Sequence, residues 1–398
     1  MAKLQSIAEA QALVLGRVTV LAAEQVPIAE AAGRVLAANA AAVVDLPPFP
    51  SSAMDGFAVR AADTPGTLPV VARSAAGLPA GQRLEAGEAI GISTGGVVPD
   101  GADAVIPIEY VVEHDNSVEI AEPVEPGTNI RPRGGDVQSG GVVCPAGTRL
   151  GPGQLGALAA AGLAELSCAR RPRAVVLTTG TELRPPGEPL GPGEVYEANG
   201  LMLAVALASA GAAAERLPAV EDDYDAHLVA IARGLEADVL VTSGGVSVGR
   251  HDLVRPVLAD LGAEEVFWRV AVKPGKPVSF SVRGSTLVFG LPGNPVSALV
   301  GFELFVRPAI LALQGAPDPL PRFEPGRLAR AVQRGRGRDE LLRARVEVRD
   351  DVVVLEPLGG QESHMIASAA TADALVFVPQ GEGELAEGSA VRYLRLSV

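Results

Sequence analysis

The 398-residue sequence predicts an α/β multidomain protein: a mostly parallel, doubly wound sheet domain, a helical/mixed domain, an inserted all-β domain and a C-terminal β-barrel-like domain. Three observations carry this. Between residues 173 and 313, short β-branched runs alternate with helical patterns, as parallel strands with helical crossovers require. Between residues 68 and 131, short β-rich runs alternate with glycine turns and show no helical period. Beyond the proline-rich APDPLPRFEP a second β-rich segment begins. The expected domains are 1–46 with 137–171, then 47–136, 172–316 and 321–398.

Taken in order, Leu4, Ile7, Val14, Leu15 and Val18 are spaced as on an amphipathic helix, and residues 1–46 read as helix, turn and helix. Pro47, Pro48 and Pro50 then rule out a helix interior, and Asp55-Gly56 reads as a tight turn with a carboxylate at its head. Residues 104–113 and 118–120 are expected to form a hairpin across His114 to Ser117. Gly151, Gly153 and Gly156 make a formal G-x-G-x-x-G. No strand precedes it and an apolar run stands where the ribose-binding acid belongs, so it reads as the approach to an alanine-rich helix.

The sheet domain then lays out a strand at AVVLTTG, a helix over 199–210 closed by Gly211 and a strand over 215–220. Next come a helix over 223–235, a strand over 239–242 and a helix over 252–261 with Asp252 as its N-cap. FWRVAV, SFSV and TLVFGLP read as strands, the last two joined across Arg283-Gly284. A final helix is capped by Asn294, with Pro295 at the position where a missing N–H costs nothing. Ligands of such a sheet lie over the carboxyl ends of its strands, which puts Glu182, Gly244, Gly245 and the Gly293-Asn294-Pro295 turn on one rim.

Composition narrows the chemistry. A net charge of −14 with 4% aromatics argues against a nucleic-acid partner. No apolar run reaches the roughly 18 residues of a membrane span, and no signal segment is evident. Two cysteines, Cys144 and Cys168, give neither a disulfide framework nor a zinc cluster, which suits the cytoplasm, and neither reads as a nucleophile. His114, His227, His251 and His364 show no metal spacing, although His251 stands beside Asp252.

The chain has three lysines, Lys3, Lys273 and Lys276, and two of them share one Lys-Pro-Gly-Lys turn. In an arginine-dominated chain this local choice points to an oxyanion site, since lysine serves as a point-charge phosphate binder. The loop after residues 239–242, with Ser243, Gly244, Gly245 and Ser247, offers backbone N–H groups to the same ligand. Loop carboxylates Asp55, Asp136, Glu182, Asp222, Asp223 and Asp252 form a second set. Beside an anion site they suggest a hard cation such as Mg2+, with Glu182, Asp252 and Asp222 as its expected ligands.

FPSSAMDGFAV, STGGVVPDGADAVIPIE, NIRPRGGDV, TTGTEL, SGGVSVGRHD, KPGKP and GLPGNPVSA occur in this order, and together they resemble the molybdopterin molybdenumtransferase family, which includes the C-terminal domain of gephyrin. The resemblance runs from about residue 45 to 379. It implies insertion of molybdate into adenylylated molybdopterin with a divalent cation, release of AMP, and an elongated four-domain homodimer with an active site across its interface. It implies functional roles for Asp55, Thr94, Asp136, Glu182, Asp252, Lys273, Lys276, Pro292, Pro295 and Ser363. Pro292, Gly293, Asn294, Pro295 and Ser363 are expected at the substrate with Ser243, Gly244, Gly245 and Ser247. A transient contact with the molybdopterin adenylyltransferase is the other expected partnership.

Three positions depart from the family pattern: Thr181 replaces an aspartate before Glu182, Glu362 a glycine and Asp373 an asparagine. Two other readings stand beside the transferase. The adenylyltransferase resembles residues 173–315 but lacks the β domains and the SAMDG stretch, and a molybdopterin-binding scaffold or carrier without turnover would need an exposed groove for a partner.

Overall fold

The computed structural model describes residues 4–246 and 252–396. Its chain forms two compact units, one of Met1–Glu24, Gly33–Ala37 and Ala169–Val398, the other of Gln25–Ala32 and Ala38–Cys168.

The first unit is built on a six-stranded sheet in the order Ala213–Arg216, Arg173–Thr178, Val239–Ser243, Thr286–Leu291, Ser279–Arg283, Glu264–Trp268. The first four strands are parallel, Ser279–Arg283 runs antiparallel to them, and the edge strand Glu264–Trp268 is antiparallel to Ser279–Arg283. Every residue of Val239–Ser243 is buried, so the strand reads as an unbroken apolar run because both sheet faces are covered. Successive side chains go to opposite faces. Val176, Val241 and Phe289 pack with Leu203, Leu207 and Phe302, whereas Val175, Leu240 and Val288 pack with Ile231, Val254 and Leu258.

The helix begun by Pro295 runs to Leu313 and is mostly buried, with Ala298, Phe302, Phe305 and Ile310 in the first of these clusters. Among the described residues it is the one helix whose length and composition would suit a membrane span; its burial marks it as a core helix. It widens to a π turn over Phe302–Val306, just ahead of Pro308, whose ring cannot accept ordinary α packing against the carbonyl four residues back. The N-terminal helix Ile7–Leu15 is held by a capping box of Ser6 and Glu9 and buries Ile7, Ala10 and Val14 in the same core. In the C-terminal region, Asp339–Arg349, Val352–Pro357, Phe323–Leu328, Ala390–Arg395 and Ala374–Val378 pair in turn. The last pairs back to the first, which closes a five-stranded barrel with Val272–Lys273 alongside.

The second unit is organised by another six-stranded sheet, ordered Ala104–Pro107, Gly56–Val59, Ala89–Ile92, Gly66–Ser74, Ser117–Ile120, Val111–Glu113. The glycine-rich segment leads, as expected, into a helix, Pro152–Ala160.

Three local expectations are corrected. The second N-terminal helix is absent: its residues form a strand, Ala23–Pro27, and a single 3-10 turn, Ile28–Glu30, because Pro27 forbids helix continuation and the Ile28 N–H is taken by the Ala164 carbonyl at 2.9 Å. The hairpin is shorter than its text, joining Val111–Glu113 to Ser117–Ile120. Ala104–Pro107 is instead fully buried and pairs with Gly56–Val59, separated from Val111–Glu113 by the 3-10 turn Ile108–Tyr110. The helix expected from Asp252 begins at Val254 with Leu253 at the N-cap, so Asp252 stands in the approach to the helix.

Candidate active site

At the carboxyl ends of the parallel strands, Thr178-Thr179, Ser243 and Pro292-Gly293 border a cleft of about 650 Å³. The ends are held together by one amide. Asn199, the first residue of the helix Asn199–Ser209, donates from Nδ2 to the Ser243 hydroxyl at 2.9 Å and to the Gly293 carbonyl at 2.7 Å. A carbonyl oxygen can only accept, which fixes the orientation of the amide. The Ser243 hydroxyl in turn donates to the Pro292 carbonyl at 3.2 Å. Three loops are thereby tied at one point.

Gly244 explains why the loop can be this tight. Its φ of +99° is one that side-chain-bearing residues rarely adopt, and a Cβ there would lie 2.7 Å from the Thr179 carbonyl oxygen. Its N–H donates to the Leu291 carbonyl at 3.1 Å, so this amide serves the loop and is not offered to a ligand.

Of the residues singled out from sequence, Glu182, Ser243, Gly245, Asp252, Pro292, Gly293, Asn294 and Pro295 line the cleft. Ser363 borders it from the barrel side: its hydroxyl accepts from Asn294 Nδ2 at 2.7 Å and its carbonyl from the Val296 N–H at 3.1 Å. These bonds bring His364 and Ile366 onto the wall. They also correct one detail, since Asn294 occupies the N-cap position yet spends its side chain on Ser363 rather than on its own helix.

Other expected residues stand apart from the cleft lining. Lys273 is exposed and lies 3.2 Å from Glu340 of the barrel. Lys276 makes no ion pair among the described residues, and its neighbour Pro277 does line the cleft. Asp222 sits in the bend before the helix Tyr224–Gly234, which is capped by Asp223 through the Ala226 N–H at 2.9 Å. Ser247 and His251 lie outside the described residues.

The second unit carries its own cluster. DLPPFPSS is zipped antiparallel to NIRPRGGD, with Ser51 opposite Arg131 and the Leu46 carbonyl accepting from the Asp136 N–H at 2.9 Å. Asp55 Oδ1 accepts from the Thr94 N–H at 2.6 Å, which joins two of the expected residues directly. Asp136 stands at the other end of the zipped stretch. All three are exposed.

Sequence reasoning missed Glu197 and Asn199. Glu197 is 7% exposed, faces the cleft and accepts from the Gly200 N–H at 2.6 Å. The available signal was a Glu-x-Asn immediately before a helix, a pattern that reads as ordinary capping. With Glu197 included, the charged groups on the cleft wall are Glu182, Glu197 and Asp252; among the described residues no Lys or Arg lines the cleft, although Arg216 lies 3.8 Å from Glu197 behind the wall.

Comparison with known proteins fits this arrangement. Three family models cover the chain in succession: MoeA N-terminal region (domain I and II) over residues 5–162, "Probable molybdopterin binding domain" over 175–312, and MoeA C-terminal region (domain IV) over 325–396. A Mycobacterium tuberculosis protein named molybdopterin molybdenumtransferase 2 is 37% identical, over 97% of this chain and 98% of its own length. The chain belongs to the molybdopterin molybdenumtransferase family. A Haemophilus influenzae member is 35% identical over 92% of both chains. The crystal structure of a molybdopterin biosynthesis moeA protein from Pyrococcus horikoshii OT3 superposes with a TM-score of 0.83 at 28% identity, over 99% of this chain and 100% of that one. The cleft described above falls within the stretch matched by the molybdopterin-binding model, with Ser363, His364 and Ile366 contributed by the segment matched as domain IV.

Proposed function

We propose that this protein inserts molybdate into adenylylated molybdopterin and releases AMP, and that the cleft at the strand ends holds the pterin substrate. The observation that carries the reading is a pre-tied, concave site at the carboxyl ends of a parallel sheet, in a chain whose relatives are named for this transfer.

The cleft's charge bears on the metal. Adenylylated molybdopterin carries a pyrophosphate and molybdate is a dianion, yet the wall presents Glu182, Glu197 and Asp252. Bringing those anions to that wall is unfavourable without countercharge. Among the described residues no three His, Cys, Asp or Glu groups are arranged to hold a metal alone, so a cation here would complete its shell with substrate oxygens and water, as Mg2+ does. Glu182 and Asp252 are the residues that would hold it, with Asp222 as the third candidate. When bound, Mg2+ supplies charge neutralisation at the phosphate and molybdate oxygens.

The remaining roles belong to the chain. Asn199 and Ser243 keep the Gly245 and Gly293 loops at fixed separation, and the Asn294–Ser363 bond holds the barrel loop over the substrate. Lys276, and Lys273 when released from Glu340, supply positive charge beside Pro277. Asp55, Thr94 and Asp136 take part in the same reaction. We further propose that the protein works in the cytoplasm as a homodimer and receives its substrate by transient contact with the adenylyltransferase.

The test is AMP release by purified protein given adenylylated molybdopterin, molybdate and Mg2+, with the metal content of the pterin read in parallel. Molybdate-dependent AMP release with molybdenum in the product is expected, abolished by a chelator and restored by Mg2+. Tight binding of the pterin with no AMP release refutes the transferase reading, and release unaffected by the chelator refutes the metal. Light scattering at one protomer mass refutes the homodimer.

A further inference from the structure

We infer that Trp268 is a positioning residue for the transfer, a single ring that ties Val246 of the cleft wall to the helix that follows Asp252. This rests on the cleft being the pterin site. The chain has one tryptophan, and it ends the edge strand Glu264–Trp268, opposite Ser279. Its indole N–H donates to the Val246 carbonyl at 3.0 Å. Val246 lines the cleft directly after Gly245. The Arg255 guanidinium carbon lies 3.9 Å from the ring centroid, and Arg255 belongs to Val254–Asp260, the helix that follows Asp252. One ring therefore holds both the Val246 carbonyl and the helix that follows Asp252.

The clamp is itself held. The Arg269 guanidinium carbon lies 3.8 Å from the same centroid, and two guanidinium groups this close to one ring cannot share a face, so the indole is sandwiched. Arg255 is fixed in turn by a two-point ion pair with Glu265, at 2.6 and 2.9 Å. Arg269 adopts φ +78°, an uncommon conformation for a residue with a side chain, while its N–H donates to the Val278 carbonyl at 2.8 Å. Local backbone cost of this kind persists where the surroundings fix it, and it gathers at functional sites. On the cleft side, Val246 packs onto Gly290, where any Cβ would fall 2.6 Å from its Cγ1.

The consequence for the site is twofold. Tying down the Val246 carbonyl takes a negative dipole end away from a cleft meant for oxyanions. Anchoring Val246 and the helix that follows Asp252 fixes the backbone around the cleft before substrate arrives, so less ordering is required on binding.

The experiment compares wild type with Trp268→Phe, which keeps an aromatic ring between the arginines and loses the N–H. Equilibrium binding of adenylylated molybdopterin and steady-state AMP release are measured on the full chain. We expect a KM raised at least threefold with a smaller change in kcat and a melting temperature within a few degrees of wild type. In an Asp252→Asn background the same substitution should have a clearly smaller effect on binding, because the larger part of Trp268's action passes through that residue. The wild-type emission of this lone indole should change on titration with the adenylylated pterin. Wild-type KM in Trp268→Phe overturns the inference, and so does an equal loss in both backgrounds, which would mark general destabilisation. If Trp268→Phe does not fold, Arg255→Met releases the clamp from its other end and is read the same way. Should Asn199→Asp and Asp252→Asn also bind the pterin normally, the cleft assignment falls together with the clamp. Should those two lose binding while Trp268→Phe keeps it, only the clamp falls.

Discussion

Replacing Asn199 by aspartate should open the cleft while leaving the sheet intact. The amide donates two hydrogen bonds from one nitrogen, to Ser243 Oγ at 2.9 Å and to the Gly293 carbonyl at 2.7 Å. A carboxylate of the same shape donates neither and sets an oxygen against the Gly293 carbonyl oxygen. Two bonds at a net value of about 0.5–1.5 kcal/mol each amount to about 1–3 kcal/mol. If that energy must be spent to restore the loop spacing on binding, affinity for adenylylated molybdopterin falls roughly 5- to 150-fold. Calorimetric titration of wild type, Asn199→Asp and Asn199→Ala checks this, with Asn199→Ala expected between the other two because it removes the donors without adding repulsion. Wild-type affinity in Asn199→Asp would refute the reasoning, since the strand ends would then be held by something other than this amide.

Further outcomes follow from the same geometry. Lys276→Ala should reduce the rate of AMP release more than Lys273→Ala, because Lys273 is already engaged by Glu340 and Lys276 has no ion-pair partner among the described residues; wild-type release with both lysines replaced would sink the anion-site assignment. Gly244→Ala should destabilise by at least about 1–2 kcal/mol from backbone conformation alone, with the contact to the Thr179 carbonyl adding to it; an unchanged denaturation midpoint would contradict the strained loop. Asp238 is partly buried, which pushes its carboxyl pKa up, but the Arg170 guanidinium and the Arg173 N–H outweigh burial and bring it below the ordinary carboxylate range. A depressed native pKa contributes stability that is present above the unfolded value and lost as pH falls through the native one. Asp238→Asn should therefore lower the melting temperature at neutral pH and flatten its decline below about pH 4, and parallel acid limbs in the two proteins would refute the pairing.

The parts of the site legible in the sequence are those where one residue type is forced by a local backbone requirement. Gly244 and Pro295 could be read this way because a positive φ and a missing N–H are properties of the chain at that point. The buried strand Val239–Ser243 was legible because a strand covered on both faces must be apolar throughout. Glu197 and Asn199 were not. The partners of Asn199 lie as far away in the sequence as Ser243 and Gly293, Glu197 accepts from Gly200 only three residues on, and the pattern around both is what any capped helix start would show. The Lys-Pro-Gly-Lys pair was legible as a charge choice, but the engagement of Lys273 by Glu340 depends on a strand pairing with the barrel that no local pattern encodes.

By itself the sequence determined the fold class, the doubly wound sheet and the loops at its strand ends, because period, glycine placement and proline placement act within a few residues of the chain. It also determined the family, through ungapped motifs in fixed order from FPSSAMDGFAV to GLPGNPVSA. Only the tertiary structure decided that the barrel closes upon itself, that Ser363 is fastened to Asn294, that the cleft wall is acidic, and that Trp268 ties Val246 to the helix that follows Asp252. The physical reason is that hydrogen bonds, stacking and charge act over a few ångströms in space, and folding alone brings residues that are far apart in sequence within that reach.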